Sequence, residues 1–149
     1  MKSMKRSQYS IVIAALAARV YERMIDAESY KDWASVFAEG TYYEGSWDQG
    51  QRIRFMAPTG EGMVSEIAEN RPHAFISIRH LGMFANGVED LTSDAVREWA
   101  PAYENYTFET VPEGTRVVVD MDVAEAWVDY MNDSWPKALA RLKAICEGE

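Results

Sequence analysis

The hydrophobic pattern changes period twice along the chain. From Gln8 to Ala15 the apolar side chains alternate, with Ile11, Ile13 and Ala15 on one face, which predicts a strand. Leu16 to Ile25 reads as a short helix carrying Val20, Met24 and Ile25. Asp26 follows, a residue whose carboxylate can accept from the first free N–H groups of a second helix. In that helix Tyr30, Trp33 and Phe37 recur at i, i+3 and i+7, and Gly40 ends it. From Thr41 the period drops to two. The strands Thr41–Trp47, Gln51–Ala57, Glu61–Ala68, Ala74–Leu81, Tyr103–Thr110 and Thr115–Val123 are separated mostly by short turn clusters rich in Gly, Pro, Asn and Asp. Glu61–Ala68 leaves its inward face open, with Val64 competing against Met63 and Ile67. The stretch 82–101 shows no clear strand pattern; Ser93 can cap a short helix there, Asp94–Trp99. Helical period returns from Glu125 to Glu147, where Trp127, Met131, Trp135, Leu139, Leu142 and Ile145 form a stripe. Pro136 lies inside it and predicts a kink, or a break with Ser134 capping the second part.

The order is a strand, two short helices, about six further strands and one long helix. A curved antiparallel sheet has to cover its apolar face, and the Trp-rich helix is the available cover. The expected class is therefore α+β, with a sheet of about six to seven strands wrapped around a long C-terminal helix. This order resembles the START-like helix-grip superfamily, also called SRPBCC. More narrowly, it resembles proteins homologous to the activator of heat-shock-protein-90 ATPase. The resemblance runs from Tyr9 to Cys146. It is carried by Val20-Tyr21, Trp33, Gly50 ahead of Ile53-Arg54-Phe55, Gly62, and Pro72 ahead of Phe75-Ile76-Ser77-Ile78. It continues through Gly87-Val88-Glu89-Asp90, Tyr103 to Phe108, Gly114-Thr115, and Trp135 to Leu139 with Leu142. Tyr21 stands where the superfamily often has Trp. The resemblance implies a cavity between sheet and helix that takes a hydrophobic or amphipathic small molecule. In a minority of members it implies a cyclase or dehydratase. The chaperone activators themselves carry a second client-facing domain, for which this chain, read as one domain over its 149 residues, has no room.

Composition narrows the partners. Asp and Glu number 24 against 15 Lys and Arg, a formal charge of −9, and the cations form no patch, so binding to a phosphate backbone is disfavoured. Lys2, Lys5 and Arg6 are expected at a frayed terminus. The longest apolar run, Ile11–Ala18, is eight residues, far short of the ~20 a membrane-spanning helix needs. It can mimic a short secretory signal, but its β-branched Ile11-Val12-Ile13 start reads as a first strand. A single cysteine, Cys146, precludes an internal disulfide and is expected to be structural in a reducing, cytoplasmic setting.

Candidate chemistry is sparse. His73 follows the Pro72 turn and reads as a solvated loop residue. His80 is in phase with Ile76 and Ile78 and is expected to point inward, either as a ligand contact or acid/base, or as a core-edge histidine bonded to a neighbour. Glu104 is in phase with Tyr106 and Phe108 and reads as a polar tip near the cavity end. Asp120 and Asp122 share a face without a third ligand and read as solvated carboxylates; Gly60-Glu61-Gly62 is too short for a phosphate loop. No catalytic residue, metal or cofactor is assigned; a co-chaperone-type protein-interaction module is a further alternative, with a protein partner possible without being indicated. The ligand-binding set is Trp47, Phe55, Ile76, Ile78, His80, Tyr106, Phe108, Trp127, Met131 and Trp135. The 82–101 segment, with Met83, Phe84, Leu91 and Trp99, is expected to gate the cavity, and Ile78 to face the helix across it.

Overall fold

The computed structural model describes residues 4–148. Chain order is β1 (Met4–Ile13), α1 (Ala17–Ile25), α2 (Ala27–Trp33) running into a 3-10 turn (Ala34–Val36), β2 (Tyr42–Gly45), β3 (Arg52–Met56), β4 (Gly62–Arg71), β5 (Phe75–Ala85), β6 (Val88–Asp90), α3 (Asp94–Arg97), β7 (Ala102–Val111), β8 (Gly114–Ala124), a second 3-10 turn (Glu125–Trp127) and α4 (Val128–Glu147). The strands form one antiparallel sheet in the order β1-β8-β7-β5-β4-β3-β2, with β6 added to the far end of β5. It is a helix-grip fold: the sheet curves round α4, and α1 and α2 close one flank.

Local signals explain most of the boundaries. Asp26 caps α2 by accepting from Ser29 N at 3.1 Å. Gly40 takes a positive φ of 88° after the turn that follows α2, a conformation Gly adopts at little steric cost. β1 begins earlier than the sequence pattern predicts. Lys5 and Arg6 belong to it rather than to a frayed end, and Arg6 donates to Asp122 Oδ1 at 2.8 Å and also pairs with Asp120. That interaction explains why two carboxylates sit side by side on the convex face. Lys2 lies outside the described residues.

The 82–101 stretch is not a loop. β5 continues to Ala85, turns at Asn86 and Gly87 (φ 55° and 75°), and returns as β6 with Ala85 opposite Val88. Two consecutive positive φ values are what a tight two-residue hairpin requires, and Asn-Gly is its preferred sequence. Asp90 then accepts from the N–H groups of Thr92 and Ser93, which holds its carboxyl below the usual range with the Ser93 side-chain bond as the first cause. Ser93 caps the single turn of α3 through Val96 N at 3.2 Å.

α4 is continuous through Pro136, so the break is not made and Ser134 is a buried mid-helix residue rather than a cap. The cost is contained because Pro136 and Asn132 both lie on the exposed face, where the carbonyl that loses its helical partner meets water. Of the helical stripe, Trp135, Leu139 and Leu142 are buried together with Ala138. Trp127 is not: it precedes α4 and is 56% exposed.

The helix is tied along β1 by polar contacts at its outer surface. Tyr9 donates to Asn132 Oδ1 at 2.7 Å, Lys143 to Val12 O at 3.2 Å, and the Ala14 N–H to Glu147 Oε2 at 2.8 Å. On the inner side Ile13, Val20, Met24, Ile67, Ile76, Ile78, Val117 and Val119 fill the core beneath it. Fully burying side chains of this size contributes roughly 1.5–3 kcal/mol each. A chain ending at Glu125 strips the core of its cover. It is expected to lose the cooperative thermal transition and to bind a hydrophobic dye; a sharp melt from that chain contradicts the grip.

Ile78 occupies this filled core and is 1% exposed, opposite Ile67 on one side and Glu104 on the other. It does not look across an empty space. Ile78→Trp is therefore expected to overpack the core and lower stability by about 1–3 kcal/mol in chemical denaturation. Unchanged stability means unfilled space at that position.

Candidate functional site

The cavity lies at the N-terminal end of α4. Its volume is about 210 Å³. α2 and the turn after it supply Tyr30, Trp33, Ala34 and Phe37; the sheet supplies Phe55, Glu104 and Tyr106; Trp127, Tyr130, Met131 and Trp135 close the helix side. The rings meet edge to face or tilted. Phe37 is 4.9 Å from Trp135 at 66°, and Tyr30 is 5.3 Å from Trp33 at 79°. The mouth is tied by Tyr130, whose hydroxyl donates to the Phe37 carbonyl at 2.5 Å.

One carboxylate faces this aromatic space. Glu104 Oε1 accepts from His80 Nε2 at 2.9 Å, and the Tyr106 hydroxyl donates to Oε2. Because an ionised carboxylate only accepts, Nε2 carries the ring proton; in the neutral ring Nδ1 then accepts from Ser65 Oγ at 2.7 Å. The result is a buried relay Ser65–His80–Glu104 with Tyr106 bracing its outer end. The same residue types form a serine-hydrolase triad, but the order is reversed here. Ser65 is 0% exposed at the inner end, and the carboxylate, not the hydroxyl, reaches the cavity. Acyl transfer to Ser65 is sterically closed; binding through Glu104, or proton transfer at it, is open. Burial raises the Tyr106 hydroxyl well above its ordinary value, with the nearby Glu104 charge adding to it. Tyr30 is raised for the same two reasons in the same order. Both hydroxyls therefore keep their protons at neutral pH.

Register builds this relay. Val64 pairs with Gly82, but the next pair is Ser65 with His80, because Leu81 is an extra residue in β5. Without that bulge Ser65 would stand opposite Leu81, and His80 would lose its inner partner. The bulge also settles the face of β4. Ile67 pairs with Ile78 in the main core, whereas Val64 is buried outside it, in register with Arg54. Gly82 is needed beside the bulge, since a Cβ there would sit 2.1 Å from Asp90 O.

Of the residues expected at the site, Phe55, Tyr106, Trp127, Met131 and Trp135 line the cavity, Trp127 from its exposed rim. His80 stands one layer back, behind Glu104 and 5.9 Å edge-on from Phe55. Trp47 packs behind Phe55 at 5.6 Å. Ile76 and Ile78 lie in the core, and Phe108 packs against Tyr21 at 5.7 Å, away from the cavity. The 82–101 segment gives no lining residue, so the gate expected there is not at the mouth. Tyr30, Trp33 and Phe37 were visible in the sequence only as the stripe of α2; their shared face was legible, its proximity to Glu104 was not. Tyr130 and Ala34 carried no signal.

His73 is exposed with a positive φ of 68°, its ring edge-on to Tyr21. Cys146 is buried in the last turn of α4. Among the described residues no three His, Cys, Asp or Glu side chains cluster so as to hold a metal ion, and no helix is long and apolar enough to cross a membrane.

The family model for Activator of Hsp90 ATPase homolog 1-like proteins matches residues 14–147. The chain belongs to that family. Solved structures of similar fold share little sequence with it. The Activator of Hsp90 ATPase homolog 1-like protein from Aeromonas hydrophila has 14% identity and a TM-score of 0.70, over 97% of this chain and 93% of that one. A protein from Mesorhizobium loti reaches a TM-score of 0.71 at 12% identity, over 93% and 94%. The Aha1 dimer from Colwellia psychrerythraea has 18% identity and a TM-score of 0.67, over 96% of each chain. No curated protein matches the chain. At these identities the solved structures support the fold, while the site rests on the residues of this chain.

The relay makes one clear energetic demand. Ser65→Ala leaves His80 Nδ1 buried without a partner, which costs about 1–3 kcal/mol. Chemical denaturation of the variant should read a loss in that range. A change within about 0.5 kcal/mol, typical of surface substitutions, contradicts the bond.

Proposed function

We propose that this chain, acting as one domain, binds a small hydrophobic or amphipathic molecule between the sheet and α4 and does so without turnover. One observation carries the reading: an aromatic-lined cavity into which a single, fully braced carboxylate projects. Pockets for small molecules have this composition, mostly apolar walls with a few placed polar groups that orient the ligand. Size restricts the class. A dry 150 Å³ cavity holds benzene, and drug-sized ligands occupy roughly 300–1,000 Å³. At about 210 Å³ the space suits one ring with a short substituent better than a full lipid chain.

A second reading is favoured by the Ser65–His80–Glu104 relay. A carboxylate held by a histidine beside a bound substrate is the arrangement of a general base, as a cyclase or dehydratase acting on an aromatic or polyketide-like substrate requires. In that case Glu104 takes the proton and His80 positions it.

Native mass spectrometry of the freshly purified protein, followed by extraction, distinguishes the readings. Under the first, a small aromatic or amphipathic compound accompanies the protein and is recovered unchanged after incubation. It is lost in Ala34→Leu, which fills the cavity from the α2 side. Conversion of the compound, abolished by Glu104→Gln, supports the second. A protein that carries nothing and whose tryptophan fluorescence ignores small aromatic compounds refutes both.

A further inference from the structure

The donors and acceptors of the cavity are not balanced. Trp33 Nε1 is spent on the Met24 carbonyl at 3.1 Å, Thr41 Oγ1 on Met56 O at 2.8 Å, and the Tyr130 hydroxyl on Phe37 O. Tyr106 and His80 both donate to Glu104, and Tyr30 has the Thr41 hydroxyl beside it. Among the lining residues no Lys, Arg or His appears. What the polar end still offers is acceptance. A carboxylate has about four lone-pair sites, and protein donors occupy one on each oxygen of Glu104. Of the lining donors, Trp135 Nε1 is buried without a hydrogen-bond partner.

The walls point the same way. Three Tyr, three Trp and two Phe side chains line the cavity that the carboxylate faces. Aromatic faces attract cations, most strongly where water is displaced. A carboxylate among such rings repels an anion and gives a charge-assisted hydrogen bond to an ammonium. The protein's net charge of −9 favours the approach of cations as well. We infer that the cavity selects a protonated amine on an apolar body of about one ring, its ammonium seated at Glu104 and its ring among the aromatic walls. This inference rests on the binding reading and names the ligand class for the same site. An acceptor substituent on the ring, where it reaches Trp135 Nε1, adds a second polar contact.

The test compares three probes of one skeleton, phenylpropylamine, phenylpropanol and phenylpropanoate, by calorimetry and tryptophan fluorescence at neutral pH. The expected order is amine over alcohol by about tenfold, with the carboxylate weakest. In Glu104→Gln the amine should lose its advantage and fall to within about twofold of the alcohol. If the alcohol binds and the amine binds no better, or if the carboxylate binds best, the cation preference is overturned while the cavity remains a binding site. Binding of none of the three refutes the binding reading, and the ligand class with it. An amine preference that survives in Glu104→Gln overturns the role of that carboxylate. The ranking in the unaltered protein decides the matter even if the variant folds poorly.

Discussion

Trp135 is the contact on which the arrangement turns. Its indole packs against Tyr9 of β1 at 6.2 Å, Trp33 of α2 at 6.0 Å, Phe37 at 4.9 Å and Tyr106 of β7 at 6.1 Å. Sheet edge, sheet centre, second helix and C-terminal helix all meet at one ring. On its C-terminal side α4 descends through Ala138, Leu139 and Leu142 into a close-packed core. On its N-terminal side Met131, Tyr130 and Trp127 become progressively more exposed. The cavity lies at this end, in the wedge between α4, α2 and the sheet.

The wedge has a polar floor because the sheet places charge there deliberately and covers the cost. A carboxylate half-way into an apolar space is expensive unless its oxygens are hydrogen-bonded. Glu104 meets that condition twice, through His80 and Tyr106, and His80 meets its own through Ser65. The relay thus ends in a fully buried hydroxyl and begins at the cavity, an order suited to presenting a carboxylate rather than activating a serine. Binding and acid/base chemistry both draw on that presentation, which is why they compete as readings of the same site.

Much of this was legible in the chain. Alternation gave the strands, the stripe of Trp135, Leu139 and Leu142 gave the covering helix, and Asp26 and Ser93 gave caps that the structure uses. Even the hairpin in 82–101 had its signal, since Asn86-Gly87 is a two-residue turn sequence; the surrounding residues alternate too weakly for the strands to be read without it. The phase of His80 and Glu104 was also readable, because a side chain's face within a strand follows from period two alone.

What the sequence could not hold is relative position across elements. Nothing local says that Leu81 bulges and so brings Ser65 to His80; register is settled by the whole ladder and by the close approach of Asp90 to Gly82. Nothing local separates Trp127, at the exposed rim, from Trp135 in the core. They share one stripe in the sequence, but the chain enters α4 through a 3-10 turn that changes their phase. For the same reason Phe108, Ile76 and Ile78 read as cavity walls and prove to be core: period fixes which face a residue takes, and only the packing of α1, α2 and α4 decides which part of that face is filled and which is left open. The sequence by itself determined most of the elements, the faces of those that alternate cleanly, and the inward turn of the carboxylate. The tertiary structure decided where the space lies, because empty volume belongs to no residue and arises only when rigid elements of fixed length are brought together.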